Sequence, residues 1–373
     1  MTMNWTTPYL TADLPGIGGI IRAQMEDFIV EEIPAYEPCG EGEHTFFRVR
    51  KRDISTPMLI KHIAAKLNIA PRDISSAGLK DARAITEQTL CIHNVPPEVL
   101  LDLKLDLAAP AATATILWAK RHTNKLRSGH LKGNRFTLRI RDVAPHAEQQ
   151  ADAILAQLTA RGVPNGYGAQ RFGTRGTNHE VGMLLLRNDR DGLKAHGIRH
   201  LSRQMRRFLI SALQSALFNQ VLAARITQGT MDSVVLGDVA KKTDTGGMFD
   251  VQDLPTEQAR ATAWEISATG PMYGYKMRAA HAVAGDIEAA ILAAAGLTLD
   301  DFRPVRAKGS RRPLRYYPDG LTWHMEDATT LLISYFAPKG AFATMLLREL
   351  MKKTAHSPSS PNSKEHQHHN ENA

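Results

Sequence analysis

A chain of 373 residues, 43% apolar and 23% charged, has the composition of a globular protein and is long enough for two domains or for one large domain with an insertion. Its formal charge of +8 favours an anionic partner. Two lone cysteines, Cys39 and Cys91, argue against a disulfide scaffold or a cysteine-built zinc site and fit a reducing compartment. No apolar run approaches the roughly 20 residues that cross a bilayer, and Met1 to Asp13 lacks a basic start followed by an apolar core, so no membrane span or signal peptide is expected and the expected location is the cytoplasm.

Gly16 to Glu32 reads as a strand pair with Ile20, Ile21, Phe28 and Val30 as its apolar positions, and His44 to Arg50 as another strand. Thr56 offers an N-cap with Pro57 at the first helical position, and Leu59, Ile60, Ile63, Ala64 and Leu67 continue a helical apolar face. Phe136, Leu138 and Ile140 alternate with polar residues as in a half-buried strand. Pro145 to Arg161 is helical, ended by Gly162.

After about Arg190 the character changes. Leu201 to Ile226 reads as one long amphipathic helix, followed by Gly- and Asp-rich loops and a helix from Asp286 to Ala295. Strand character returns from Leu321 to Phe336, and a glycine turn leads into a helix near Phe342 to Lys352. The expected fold class is α+β, with a helical insertion: a first part over 1–190, an inserted domain over 191–316, and completion of the first domain by 317–354. The stretch 355–373 has no apolar anchor and reads as a disordered, solvated tail, in spite of its four histidines.

Positive charge is concentrated. Trp118 to Arg141 carries Lys120, Arg121, Lys125, Arg127, Lys132, Arg135, Arg139 and Arg141, with no acid between Asp106 and Asp142. Arg303 to Arg315 carries six more cations and no acid, and the long helix adds Arg199, Arg203, Arg206 and Arg207. Runs of one sign repel themselves and call for an external anion, for which a polyphosphate backbone is the natural candidate. With glycines among the cations and no helix-turn-helix, zinc-finger or basic-zipper pattern, RNA fits better than a DNA groove.

The common catalytic signatures are missing: no phosphate-binding GxxxxGK[ST], no complete GxGxxG, no HExxH and no GxSxG. Two stretches remain. In Ser75 to Ile92, Asp81 stands between Lys80 and Arg83 at a turn; nearby cations favour the charged carboxylate, which suits a nucleophile or a base. A turn residue with two charged neighbours is the plainer reading. Val163 to His179 sets Asn165, Tyr167, Gln170, Arg171 and Phe172 among four glycines, which permit close backbone approach to a ligand, or simply form a Gly-rich loop.

Taken together, AGLKDARAITEQ (77–88), NKLRSGHLKGNRF (124–136) and NGYGAQRFG (165–173), followed by TGPMYGYKM (269–277) and GAFATMLLREL (340–350), resemble in order the signature blocks of the TruD family of tRNA pseudouridine synthases. The resemblance spans about residues 10–352. It implies the pseudouridine synthase catalytic domain, a mixed sheet flanked by helices, interrupted by a family-specific inserted domain. It implies isomerisation of uridine-13 of tRNA to pseudouridine without cofactor or metal. A monomer is expected from the sequence itself, which shows no obvious apolar surface stripe. Asp81 corresponds to the family's catalytic carboxylate, acting either by adding to the uracil or ribose or by removing a ribose proton. Arg22 falls where the family carries a basic residue, often Lys, and would pair with Asp81. Tyr167 stands where the family has Phe, as a stacking platform for the target base. Asn165, Lys80, Gln170, Arg171, Lys125, Arg127 and Arg135 complete the expected substrate contacts. The alternative from another class, an RNA-binding protein without turnover, is separated from this by mapping pseudouridine on unmodified tRNA.

Overall fold

The computed structural model describes residues 4–107 and 111–352. The first part of the chain runs through β1 (Gly18–Ile21), β2 (Phe28–Pro34), β3 (His44–Arg52), α1 (Thr56–Lys66), β4 (Ile74–Ser76), β5 (Ile85–His93), α2 (Pro97–Leu101), β6 (Thr113–His122), β7 (Leu131–Val143) and α3 (Ala147–Arg161). The middle holds β8 (Val163–Pro164), α4 (Asn178–Leu186), α5 (Arg190–Ala195), α6 (Arg203–Thr227), β9 (Val239–Lys242), β10 (Met248–Asp250), α7 (Leu254–Thr262), β11 (Ile266–Met272), α8 (Ala282–Ala294), β12 (Ser310–Pro313) and β13 (Arg315–Tyr316). Then come β14 (Asp319–Asp327), β15 (Thr330–Pro338) and α9 (Ala343–Met351). The architecture is α+β.

The main sheet has the order β14-β15-β7-β2-β5-β3-β6, with β1 added to β7 and β4 to β5. It is mixed, because β2 and β5 run parallel while the other neighbours are antiparallel. The stretch 16–32 does not form a strand pair: β1 and β2 both pair with β7, separated by the turn at Met25–Asp27.

Strand alternation sorts the two faces. Asn134, Phe136, Leu138 and Ile140 of β7 share a face with Ala337, Tyr335, Ile333 and Leu331 of β15 and, through Phe28↔Leu138, with β2. Val30↔Thr86 and Gln88↔Val49 carry the same face across to β3. One end of that face is covered by α3 and α9, through Ile154, Leu155, Leu158, Leu346 and Leu350. The other end is covered by α1, through Leu59, Ile63 and Ala64 against Phe47, Val49 and Leu90. Between the two groups of helices the face is polar: Glu32, Lys51, Thr86 and Gln88 are all buried there.

On the opposite face, Arg48 and Arg50 pair with Glu87, and Arg139 with Glu326.

Ser55, not Thr56, caps α1, its side chain accepting from the Met58 amide. Thr56 is the first helical residue, which frees its hydroxyl for the site described below. Helix α6 is long and apolar enough, by length and composition, to cross a membrane, but 72% of its most apolar window is buried inside the protein. Its sequence is apolar on several sides for a reason: Leu213, Leu217 and Val221 pack with Val181, Leu292 and Phe302, while Phe218 and Leu222 join the core beneath the sheet. The tail at 355–373 lies outside the described residues.

Candidate active site

The loop from Ala77 to Ala84 fills the gap between the two helix groups. Its fastening is specific. The Lys80 backbone amide donates to Thr56 Oγ1 (2.9 Å), and that hydroxyl donates to Gln88 Oε1 (2.8 Å). The Gly129 amide donates to the Ala77 carbonyl (2.7 Å), tying in the turn between β6 and β7. Lys51, the next inward-facing residue of β3 after Phe47 and Val49, is fully buried, and its ammonium donates to the carbonyls of Ile54 and Asp81, both at 2.7 Å. Burial pushes this amine down to about 8, against the charge of Asp81, which pulls it up.

Held in this way, the Asp81 carboxylate meets Arg22: Nη2 donates to Oδ2 at 2.7 Å, and each side chain is about a third exposed (31% and 32%). Arg22 sits just past β1 with φ 61°, a left-handed conformation that costs a non-glycine residue about 1 kcal/mol or more. Its guanidinium lies 3.9 Å from the centroid of the Phe28 ring. The strain and the stacking fix the cation where it orients one carboxylate oxygen and leaves the other unbonded to any side chain among the described residues.

A second cluster lies beside β8. Gly166 approaches α9 so closely that a Cβ there would lie 2.9 Å from Met345 Cε. The next residue, Tyr167, is half-buried, with Arg312 4.4 Å from its ring centroid and Phe342 and Phe218 at 5.6 and 5.9 Å. Its hydroxyl donates to Met272 Sδ at 3.6 Å. Arg312 donates to the carbonyl and side-chain oxygen of Asn165 (2.9 and 2.6 Å) and to the Gly340 carbonyl (2.8 Å). Arg171 donates to Ser215 and Ser211 and lies 5.5 Å from the Tyr167 centroid. Neither guanidinium has a carboxylate partner among the described residues, and burial pulls both below the usual arginine range. An enclosed ring with two uncompensated cations is a place where an anion gains and where another flat ring can stack.

The two clusters are joined through the sheet. Lys80 Nζ binds Glu32 (2.9 Å) and Asn134 Oδ1 (2.6 Å). Asn134 pairs with Ala337 on β15, and that strand runs on into the turn at Gly340, whose carbonyl holds Arg312.

Among the expected site residues, Asp81 and Arg22 are brought together, as are Asn165, Tyr167 and Arg171. Gln170 is exposed beside them, and Lys125 and Arg127 are exposed on the turn fastened to Ala77. Lys80 is placed otherwise: its side chain is 7% exposed and its ammonium is taken by Glu32 and Asn134, so it braces the loop and does not face a ligand. Arg135 is exposed on the opposite face of the sheet, across from Glu31, because it alternates with the inward Asn134 and Phe136.

Three residues of the site are not singled out by the sequence. Lys51 carries a visible signal, a lysine at the inward parity of a strand. Phe342 and Arg312 fall within the 340–350 block and the basic run 303–315, but nothing local ties them to Tyr167, because they arrive from distant segments.

The family model described as tRNA pseudouridine synthase D (TruD) matches residues 5–195 and 190–350. A relative from Thermus thermophilus named tRNA pseudouridine synthase D is 45% identical over 349 residues, covering 93% of this chain and 93% of its own. One of the same name from Geobacter sp. (strain M21) is 39% identical over 402 residues, covering 92% and 99%. A solved structure from Methanosarcina mazei, assigned by its description to tRNA pseudouridine synthase D, superposes with a TM-score of 0.73 at 25% identity, over 93% of this chain and 96% of that one. Its likeness identifies the mixed sheet with its flanking helices as the pseudouridine synthase fold. With nearly the whole described length matched by family model, relatives and fold alike, the chain belongs to the TruD family of tRNA pseudouridine synthases.

Proposed function

We propose that this tRNA pseudouridine synthase acts on uridine-13, with Asp81 as its one catalytic carboxylate. The observation that carries the reading is the Asp81–Arg22 pair, 2.7 Å apart, partly exposed on a loop braced from three sides in the polar middle of the sheet. The reaction breaks the C1′–N1 bond, turns the uracil and forms a C1′–C5 bond, and the C5 proton is replaced by one on N1. The isomerisation balances with no external oxidant, reductant or group donor, so it calls for no cofactor.

The target base leaves its stack to reach the carboxylate. Asp81 then either adds to the uracil or ribose or removes a ribose proton, while Arg22 keeps the carboxylate oriented. Tyr167 offers its ring for stacking, and its hydroxyl, turned to Met272, leaves the ring face as the feature shared with a Phe. The exposed Lys125 and Arg127 supply phosphate contacts next to the loop.

Chemical mapping of pseudouridine in total RNA, with and without this protein, tests the reading. The expected result is one new modification at position 13 of tRNA. Modification confined to another tRNA position, or to other RNAs, contradicts it.

A further inference from the structure

A groove of about 1190 Å³ lies between the first turns of α6 and the loop 304–310. That exceeds the roughly 300–1,000 Å³ of small-molecule pockets, so it has room for more than one nucleotide-sized group. One wall carries Arg203, Arg206 and Arg207, and the other Arg306 and Lys308. All five are exposed, none has an ion-pair partner among the described residues, and no acid lines the groove. The floor is apolar, with Ile210, Met272 and Val305.

The second wall is built, not a loose surface loop. Arg306 holds a left-handed φ of 55°. Gly309, at φ 81°, packs against Gly274 so tightly that a Cβ on it would lie 2.8 Å from the Gly274 backbone. The amides of Tyr275 and Lys276 donate to the carbonyls of Ala307 and Lys308 (3.3 and 2.9 Å). Two groove residues also touch the Tyr167 cluster: Met272 accepts from the Tyr167 hydroxyl, and Ser211 from Arg171. The groove therefore continues outward from that cluster along α6.

We propose that this groove takes a single-stranded stretch of the tRNA adjoining the target uridine. Its phosphates lie on Arg203, Arg206, Arg207, Arg306 and Lys308, and an unstacked base lies on the Met272–Val305 floor. Cationic walls match a phosphodiester backbone, and the apolar floor fits a base freed from its stack. The inference deepens the synthase reading and rests on it for the identity of the RNA.

The test is the triple variant Arg206→Gln/Arg207→Gln/Lys308→Gln of the full chain. It is compared with the wild type and with Lys61→Gln/Arg72→Gln/Lys104→Gln, a charge-matched control on the α1 side. Filter binding of unmodified tRNA as a function of salt reads the groove without requiring turnover. The groove variant is expected to bind tRNA about 10- to 100-fold more weakly and to flatten the slope of log K against log salt by about 2, with the control close to wild type. Wild-type affinity and slope in the groove variant overturn the proposal. An equal loss of affinity for a perfect RNA duplex overturns the single-strand assignment. Failure of the wild type to form pseudouridine, with the binding loss intact, counts against the enzymatic reading and leaves the groove standing.

Discussion

Lys51 shows how one buried side chain can brace the candidate site from beneath. Its ammonium is sealed under the Asp81 loop and holds that residue's own carbonyl, so it sets the position of the carboxylate from behind. The arrangement has a signature in stability. The unfolded chain keeps the lysine proton to about 10.5, while the folded chain releases it near 8. In that window the unfolded state binds more protons, so this group makes stability rise with pH; its full cost is present below about 8 and is relieved above it. Between about pH 8 and 9.5, before tyrosines ionise, the wild type should gain roughly 2 kcal/mol relative to Lys51→Met. Urea unfolding at a series of pH values measures the difference. Parallel pH profiles for the two proteins would show that Lys51 is not held charged in a buried site.

At the scale of elements, the periodic signals carry well and the exceptions have local causes. The strands at Phe136 and Leu321 and the helices at Leu59, Ala147 and Leu209 follow apolar spacing, which burial on one face enforces. The stretch 16–32 has strand chemistry, but its partner, β7, lies far along the chain, and local pattern does not encode a distant partner. Thr56 reads as the cap for a related reason: Thr and Ser are both good caps, and Ser55 takes the role. The freed hydroxyl joins α1 to both the Asp81 loop and β5. Thr56→Val keeps the shape and strands the Lys80 amide, and it should cost about 1–3 kcal/mol. The variant should lower kcat by about tenfold with tRNA affinity unchanged, because the loop loosens while the phosphate contacts stay. Stopped reactions at saturating tRNA, paired with filter binding, check this; a loss of affinity with kcat intact would place Thr56 in binding instead.

Across the whole molecule, the charge pattern is only half legible in the sequence. The basic runs at 118–141 and 303–315 contain no acid, yet part of each is neutralised internally. Arg139 meets Glu326 from 187 residues away, Arg141 meets Asp27 from 114, and Arg311 meets Glu288 inside the protein. Sequence distance hides such partners. Of the cations left without them, Lys125 and Arg127 are exposed beside the Asp81 loop, and Arg306 and Lys308 in the groove along α6. Asp81 itself is legible because its block of residues is distinctive, whereas Arg312, Phe342 and Lys51 reach the site through the fold.

In the proposed mechanism the grip on tRNA is spread over the surface, whereas the chemistry is concentrated in Asp81. Single-turnover pseudouridine formation by Asp81→Asn on unmodified tRNA, with affinity measured in parallel, tests that separation most directly. The expected rate is lower by at least about a thousandfold, with affinity within about threefold of wild type. A variant that forms pseudouridine at the wild-type rate would contradict it.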